Sequence, residues 1–277
     1  MNKKNKNDIK EIIVNFSCGL LAGTIDVLLY FFFQSFNAGK YGYGSIAVRK
    51  GVEDSISEVE SLGIDGETIK KAISKAIHRN LLVRGSDKKT IKITNEGLGR
   101  LKEIVPSYNK NRIWDGHFYL VTYDIVEEKR RQRRLLREYL KKLGCGSLQD
   151  SVWITPYNPK SFLKTFIQEN FLSGSIVVSD IGKDGSIGDE TLGELAGRVY
   201  QLDKVNSRYE NFIVGHQKNK FVNAQTYFQF LSILKEDPQL PFEILPSNWL
   251  GDKAYNLIFG KFSSHLPVLS DSKMGKE

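Results

Sequence analysis

Lys70, Lys71, Ser74, Lys75 and Arg79 recur at three- and four-residue spacing within Glu67–Asn80. On a helix that spacing gathers them along one side. All five donate hydrogen bonds and four are cationic. Such a face suits a nucleic-acid duplex, because a helix fits the major groove and its donors meet base edges and phosphate oxygens. The same residue types also make an ordinary solvated helix face, so the neighbouring elements must decide.

Those elements have a readable order. Ser55–Leu62 reads as a short helix and Gly63–Gly66 as a turn. Within Glu67–Asn80, Ile69, Ala72, Ile73, Ala76 and Ile77 repeat at the spacing of a buried stripe. Leu81–Arg84 and Thr90–Thr94 read as two short strands, joined by a Gly85–Lys89 tip that carries Lys88 and Lys89. Asn95 is the predicted cap of a last helix through Val105, with Leu98 and Leu101 inward. Helix, turn, helix, basic hairpin, helix is the order of a winged helix-turn-helix domain. There the second helix reads a groove, and hairpin residues such as Lys88 and Lys89 reach the backbone.

The next stretch alternates strand and helix signals. Phe118–Ile125 is an apolar run rich in β-formers, and Glu127–Leu143 is strongly helical. Ser147–Thr155 holds two strand candidates, Lys160–Phe171 a helix with Phe162, Leu163, Phe166 and Ile167 as its apolar face, and Ser175–Ser179 a strand. This βαββαβ order is the ferredoxin-like pattern, a sheet with an exposed side or edge that commonly dimerises. In the long helix, Leu136, Tyr139, Leu140 and Leu143 form the predicted buried stripe, and Arg130, Arg133, Arg134, Arg137 and Lys141 lie along a flank. That flank fits a polyanion, a solvated face paired with acids, or a subunit interface equally well. Asp124 ends the first strand. A carboxylate there can hold a divalent metal for phosphodiester hydrolysis, or simply cap the following turn or pair with an arginine. No second carboxylate accompanies it at metal-ligand spacing.

Composition narrows the field. The 277-residue chain carries 40 Lys+Arg against 32 Asp+Glu, a net charge of +8. Residues 1–110 hold 18 basic and 12 acidic side chains, whereas residues 181–277 hold 11 and 12. The basic part thus lies toward the front; taken alone, the excess is no more than a solubility charge. Cys18 and Cys145 are too few for a disulfide framework or a four-cysteine zinc site and fit a reducing, cytoplasmic compartment. The apolar stretch Ile12–Phe36 is split by Asp26 and predicts one or two buried helices rather than a membrane span. A membrane-anchored, DNA-bound scaffold is the reading it leaves open. His78, His117, His216 and His265 share no metal spacing, and Gly39, Gly42 and Gly44 form no phosphate loop. Residues 190–277 read as helical, with Tyr227, Phe228, Phe230, Leu231 and Leu234 as a core stripe, Trp249 as a structural or pocket residue, and Ser270–Glu277 as a frayed terminus.

Particular runs carry a family resemblance. Trp114–Ile125, the arginine-rich helix, Leu143–Gly146 and Leu148–Tyr157 resemble the central domain of the PaaX-type repressors, and Leu195–Asn206, Asn211–Ile213 and Asp237–Trp249 resemble that family's helical C-terminal domain. Ser151–Tyr157 and Asp237–Trp249 are the most specific parts. The resemblance implies an α+β chain in three segments. These are apolar helices plus a winged helix over 1–110, a ferredoxin-like dimerisation domain over 111–185, and a helical domain over 186–277. It implies a homodimeric repressor on a double-stranded operator with inverted repeats, acting without a cofactor. The best-known relative is released by an acyl-coenzyme A thioester, but no ligand-contacting motif here carries that ligand over. The middle domain also resembles the small CRISPR-associated adaptation protein, in which the aspartate ending the first strand is the proposed metal ligand. Asp124 holds that place, so the competing expectation is a nuclease dependent on Mg²⁺ or Mn²⁺.

Overall fold

A computed structural model describes residues 3–37, 45–85, 90–183, 189–218 and 223–259. Lys88, Lys89, Gly39, Gly42, Gly44, His265 and the terminal Ser270–Glu277 lie outside the described residues. The chain is a mixed α+β protein whose contacts form two compact units.

The first unit comprises Met1–Tyr108, Tyr209–Glu236 and Gly251–Glu277. Its hub is α2 (Thr24–Asn37), on which Val27, Leu28, Leu29 and Phe32 are fully buried. Burying side chains of this size contributes about 1.5–3 kcal/mol each. Helix α2 packs on α3 (Ser45–Ser61), α4 (Gly66–His78), α5 (Asn95–Ile104) and β2 (Ile91–Ile93), which pairs antiparallel with β1 (Leu82–Arg84). Helix α1 (Lys3–Phe16) adds the buried Ile9 and Ile13. The tail supplies the second half of a helix spanning Leu202–His216, together with Ala224–Leu234 and Gly251–Phe259. Phe228 meets Phe16 and Tyr30 at ring-centroid distances of 5.0 and 4.6 Å. The apolar front of the chain is therefore covered by the chain's own tail. Among the described residues no helix is long and apolar enough to cross a membrane.

Two sequence expectations shift here. Helix α3 starts at Ser45, well before the predicted Ser55. Thr94, not Asn95, caps α5: its backbone is extended and its side chain accepts a bond from the Gly97 N–H at 3.0 Å, whereas Asn95 is already helical.

The second unit comprises Asn109–Arg208 and Asp237–Leu250. Its strands β3 (Phe118–Asp124), β4 (Gly146–Gln149), β5 (Val152–Thr155) and β6 (Ser175–Gly182) lie in the order β4-β5-β3-β6, every neighbouring pair antiparallel. A 3₁₀ turn (Glu127–Lys129) and α6 (Arg130–Lys142) follow β3, and α7 (Lys160–Glu169) follows β5. The strand period of two sends Val121 and Tyr123 to one side, against Leu136 and Leu140 of α6 and Leu163 of α7. Phe162, expected on the inner face of α7, is 58% exposed. Phe118 and Ile154 belong to a second cluster with Leu192 and Ala196 of α8 (Leu192–Val199), Leu240 and Ile244. Residues 186–277, expected as one helical domain, thus contribute to both units.

The returning segment 237–250 is tied in by polar contacts. Arg112, fully buried, donates from Nη1 to the Leu240 carbonyl at 3.2 Å and sits 3.8 Å from the Asp237 carboxylate. The Tyr157 hydroxyl donates to the Gln239 carbonyl at 3.0 Å, and the Asn206 side chain bonds the Asn248 carbonyl and the Leu250 N–H. At the end of α8, the Tyr200 hydroxyl accepts from the Gly146 N–H at 3.1 Å and lies 2.9 and 2.8 Å from the Gly144 and Ile154 carbonyls. Burial raises this phenol's pKa above its ordinary value. Gly146 is itself required, since a Cβ there would fall 2.3 Å from Val199 Cγ1. Tyr200→Phe removes the acceptor of the Gly146 N–H and the single O–H that the Gly144 and Ile154 carbonyls share. We expect it to cost about 1–3 kcal/mol of stability, read by urea denaturation. A change below measurement error would show that water replaces the hydroxyl without loss.

Candidate nucleic-acid interface

Helix α4 begins at Asp65, whose carboxylate accepts from the Thr68 N–H at 2.8 Å and the Thr68 hydroxyl at 2.7 Å. These bonds hold the Asp65 carboxyl below its usual pKa, the hydroxyl contributing most. Of the predicted stripe, Ile69, Ala72, Ile73 and Ala76 are buried and Ile77 is half-buried. That burial turns the opposite side outward, and Lys70, Lys71, Ser74, Lys75 and Arg79 are all exposed. Lys71 pairs with Glu67 one turn earlier. Lys70, Lys75 and Arg79 have no carboxylate partner among the described residues.

The elements after α4 are laced to its end. Asn80 takes a left-handed backbone (φ 55°), the Thr94 hydroxyl donates to the Asn80 carbonyl at 2.6 Å, and the Thr94 N–H bonds the Leu81 carbonyl at 3.2 Å. A Cβ on Gly97 would lie 2.2 Å from the Leu81 carbonyl oxygen, so only glycine lets α5 come this close. On the hairpin, Val83 pairs with Lys92 and Arg84 with Ile91; Arg84 and Lys92 are exposed cations. Sequence reasoning overlooked both, because Leu82-Val83-Arg84 and Ile91-Lys92-Ile93 are too short for an alternation to show. Lys88 and Lys89, the predicted tip donors, lie outside the described residues.

Beside α4 is a cavity of about 490 Å³. Lys71, Lys75 and Arg79 line it from α4, Ile9, Lys10 and Ile13 from α1, and residues 22–26 from the start of α2. Asp26, the charge that splits the apolar stretch, is 2% exposed and accepts from Arg100 Nε at 2.6 Å. That bond raises the Arg100 pKa above its ordinary value.

The arginine flank of α6 forms a separate basic surface. Arg130, Arg133, Arg134, Arg137 and Lys141 border one shallow groove with Glu127 and Glu138. Arg133 lies 3.7 Å from Glu127, Arg134 3.8 Å from Glu138 and Arg137 3.6 Å from Asp150. Acids thus face three of the five cations, at separations that contribute at most about 1 kcal/mol each.

Asp124 is exposed at the end of β3, opposite Ser175. Gly174, with φ +114°, brings its backbone so close that a Cβ would meet the Asp124 carbonyl oxygen at 2.4 Å. Among the described residues no three His, Cys, Asp or Glu side chains group as metal ligands. Mg²⁺ sites usually draw on one or two carboxylates, with waters and substrate phosphates completing the shell, and Asp124 offers one. Cys145 is buried, and desolvation pushes its thiol up to about 12.

Comparison with known proteins agrees with this architecture. Residues 111–186 match the family described as "PaaX protein central Cas2-like domain", and residues 200–272 match "PaaX-like protein C-terminal domain". No curated protein matches the chain. One solved structure similar in fold is the uncharacterized protein Rv0674 from Mycobacterium tuberculosis. It is 18% identical with a TM-score of 0.52, and the likeness covers 76% of this chain and 85% of that one. The two family matches together span more than half of the sequence and take in βαββαβ sheet and tail alike, so the chain belongs to the PaaX-type family, with a Cas2-like central domain.

Proposed function

We propose that this protein is a sequence-specific DNA-binding transcriptional regulator of the PaaX type, a homodimeric repressor acting in the cytoplasm. In this reading α2, α3, α4, the β1–β2 hairpin and α5 are a winged helix, α4 enters the major groove, and Arg84 and Lys92 join Lys88 and Lys89 on the wing. The ferredoxin-like unit mediates dimerisation, which sets two α4 helices about 34 Å apart on an inverted repeat. The single observation that carries the reading is the outward face of α4. Lys70, Ser74, Lys75 and Arg79 stand exposed, and the three cations have no carboxylate partner among the described residues. Family membership supports regulation as its purpose. The α6 flank serves as a secondary, sequence-independent contact to backbone phosphates.

Selection of bound sequences from random duplex DNA is expected to enrich an inverted repeat. On the enriched site, Lys75→Ala with Arg79→Ala should keep the wild-type circular dichroism but weaken binding roughly tenfold to a hundredfold. It should also reduce the slope of log affinity against log salt by about two. Unchanged affinity in that double variant would sink the assignment of α4. Incubation with duplex DNA and Mg²⁺ or Mn²⁺ should leave the DNA intact. Cleavage that Asp124→Ala abolishes would make the chain a nuclease instead.

A further inference from the structure

The cavity beside α4 has a chemistry of its own. Its volume, about 490 Å³, is that of a small-molecule site. The apolar side chains in its described lining are all aliphatic, chiefly Ile9, Ile13, Ile25 and Ala72. No aromatic ring is among them, so nothing described there would stack a base or an aryl group. The acid in the described lining, Asp26, is bonded to Arg100. Lys10, Lys75 and Arg79 then remain as positive charges at the wall of an aliphatic space. An ammonium or guanidinium beside apolar surface favours an anion that can bury a hydrocarbon tail while keeping its head at the rim.

We propose that this cavity is a binding site for a free aliphatic organic anion, a carboxylate or phosphate head on a hydrocarbon tail. Because Lys75 and Arg79 serve both the cavity and the outward face of α4, the bound anion and DNA phosphates compete for the same cations. Occupancy therefore lowers DNA affinity, and by linkage DNA lowers affinity for the anion. The second half of this inference rests on the DNA-binding reading; the first half does not.

The test uses the full chain and calorimetric titration with decanoate below its micelle concentration. Decanoate should bind, octanoate should bind more weakly by roughly fourfold per methylene removed (~0.8 kcal/mol), and decyltrimethylammonium should not bind. Gly23 lines the cavity, and a Cβ there meets nothing within 4 Å. Gly23→Trp is expected to weaken decanoate at least tenfold while duplex affinity stays within threefold; Ala22→Trp serves if that variant misfolds. In fluorescence anisotropy, decanoate should displace duplex DNA from the wild type and not from Gly23→Trp. Equal binding of the cationic amphiphile, or decanoate affinity unmoved by either tryptophan, overturns the site. Co-sedimentation with phosphatidylglycerol vesicles at lower concentration than free decanoate requires would overturn the free-ligand assignment in favour of a membrane lipid. A chain that binds decanoate as described but no DNA supports the cavity while refuting the regulator reading. DNA binding indifferent to bound decanoate refutes the competition.

Discussion

Burial of Ile69, Ala72, Ile73 and Ala76 against the first unit fixes the rotation of α4 about its own axis. Successive residues on a helix are about 100° apart, so a one-residue change of register would turn Lys70 and Ser74 toward the core. Burying an unpaired ammonium costs several kcal/mol, far more than a surface lysine gains anywhere else. The apolar stripe thus selects a single orientation, and the cations face outward as its consequence. The lacing of Asn80, Leu81, Thr94 and Gly97 then holds the hairpin and α5 beside the end of that helix.

The hub on which α4 rests is α2, and here one charge has to be accommodated. Asp26 sits in the first turn of α2, where a carboxylate favours the helix dipole, and it is almost wholly buried. A buried carboxylate is tolerable only when bonded, and Arg100 of α5, itself 38% exposed, provides the bond while keeping part of its guanidinium in water. The break in hydropathy that makes Ile12–Phe36 a poor membrane segment is therefore a tie between α2 and α5. The position of α2 at the centre of the unit was not legible in the sequence. Its run of Leu28, Leu29, Tyr30, Phe31, Phe32 and Phe33 is apolar all round. Periodicity shows that such a helix is buried but not against what. Its partners come from far along the chain, Phe228 among them.

Elsewhere legibility followed the length of the pattern. The stripe of α4 and the apolar run of β3 extend over many residues, and both were legible as elements. Thr94 and Asn95 are both good caps, and only the backbone angle at Thr94 separates them. Phe162 sits one residue from Leu163 at the margin of the α7 stripe, where a shift of 100° moves a ring from core to solvent. Arg84 and Lys92 each stand in strands of three residues, too short for alternation to declare which side is wet. Asp237–Trp249, which carried much of the family resemblance, also has a physical account. Asp237 faces the buried Arg112, Leu240 and Ile244 fill the second cluster, and the Gln239 carbonyl takes the Tyr157 hydroxyl. Its composition answers to packing in the second unit.

The two basic surfaces differ in what a polyanion would have to displace. On α6 an incoming phosphate meets three arginines already shared with Glu127, Glu138 and Asp150, so those three new contacts are each partly offset by an old one. On α4, among the described residues, Lys71 alone is so engaged, and Lys70, Lys75 and Arg79 face no carboxylate. Counterion release is the main source of affinity for a polyanion. A cation already shared with a carboxylate neutralises a phosphate less fully and so frees fewer of the counterions condensed on the nucleic acid. If the chain binds nucleic acid as proposed, the longer run of arginines is for that reason the weaker ligand per charge, and the shorter face on α4 carries more of the affinity.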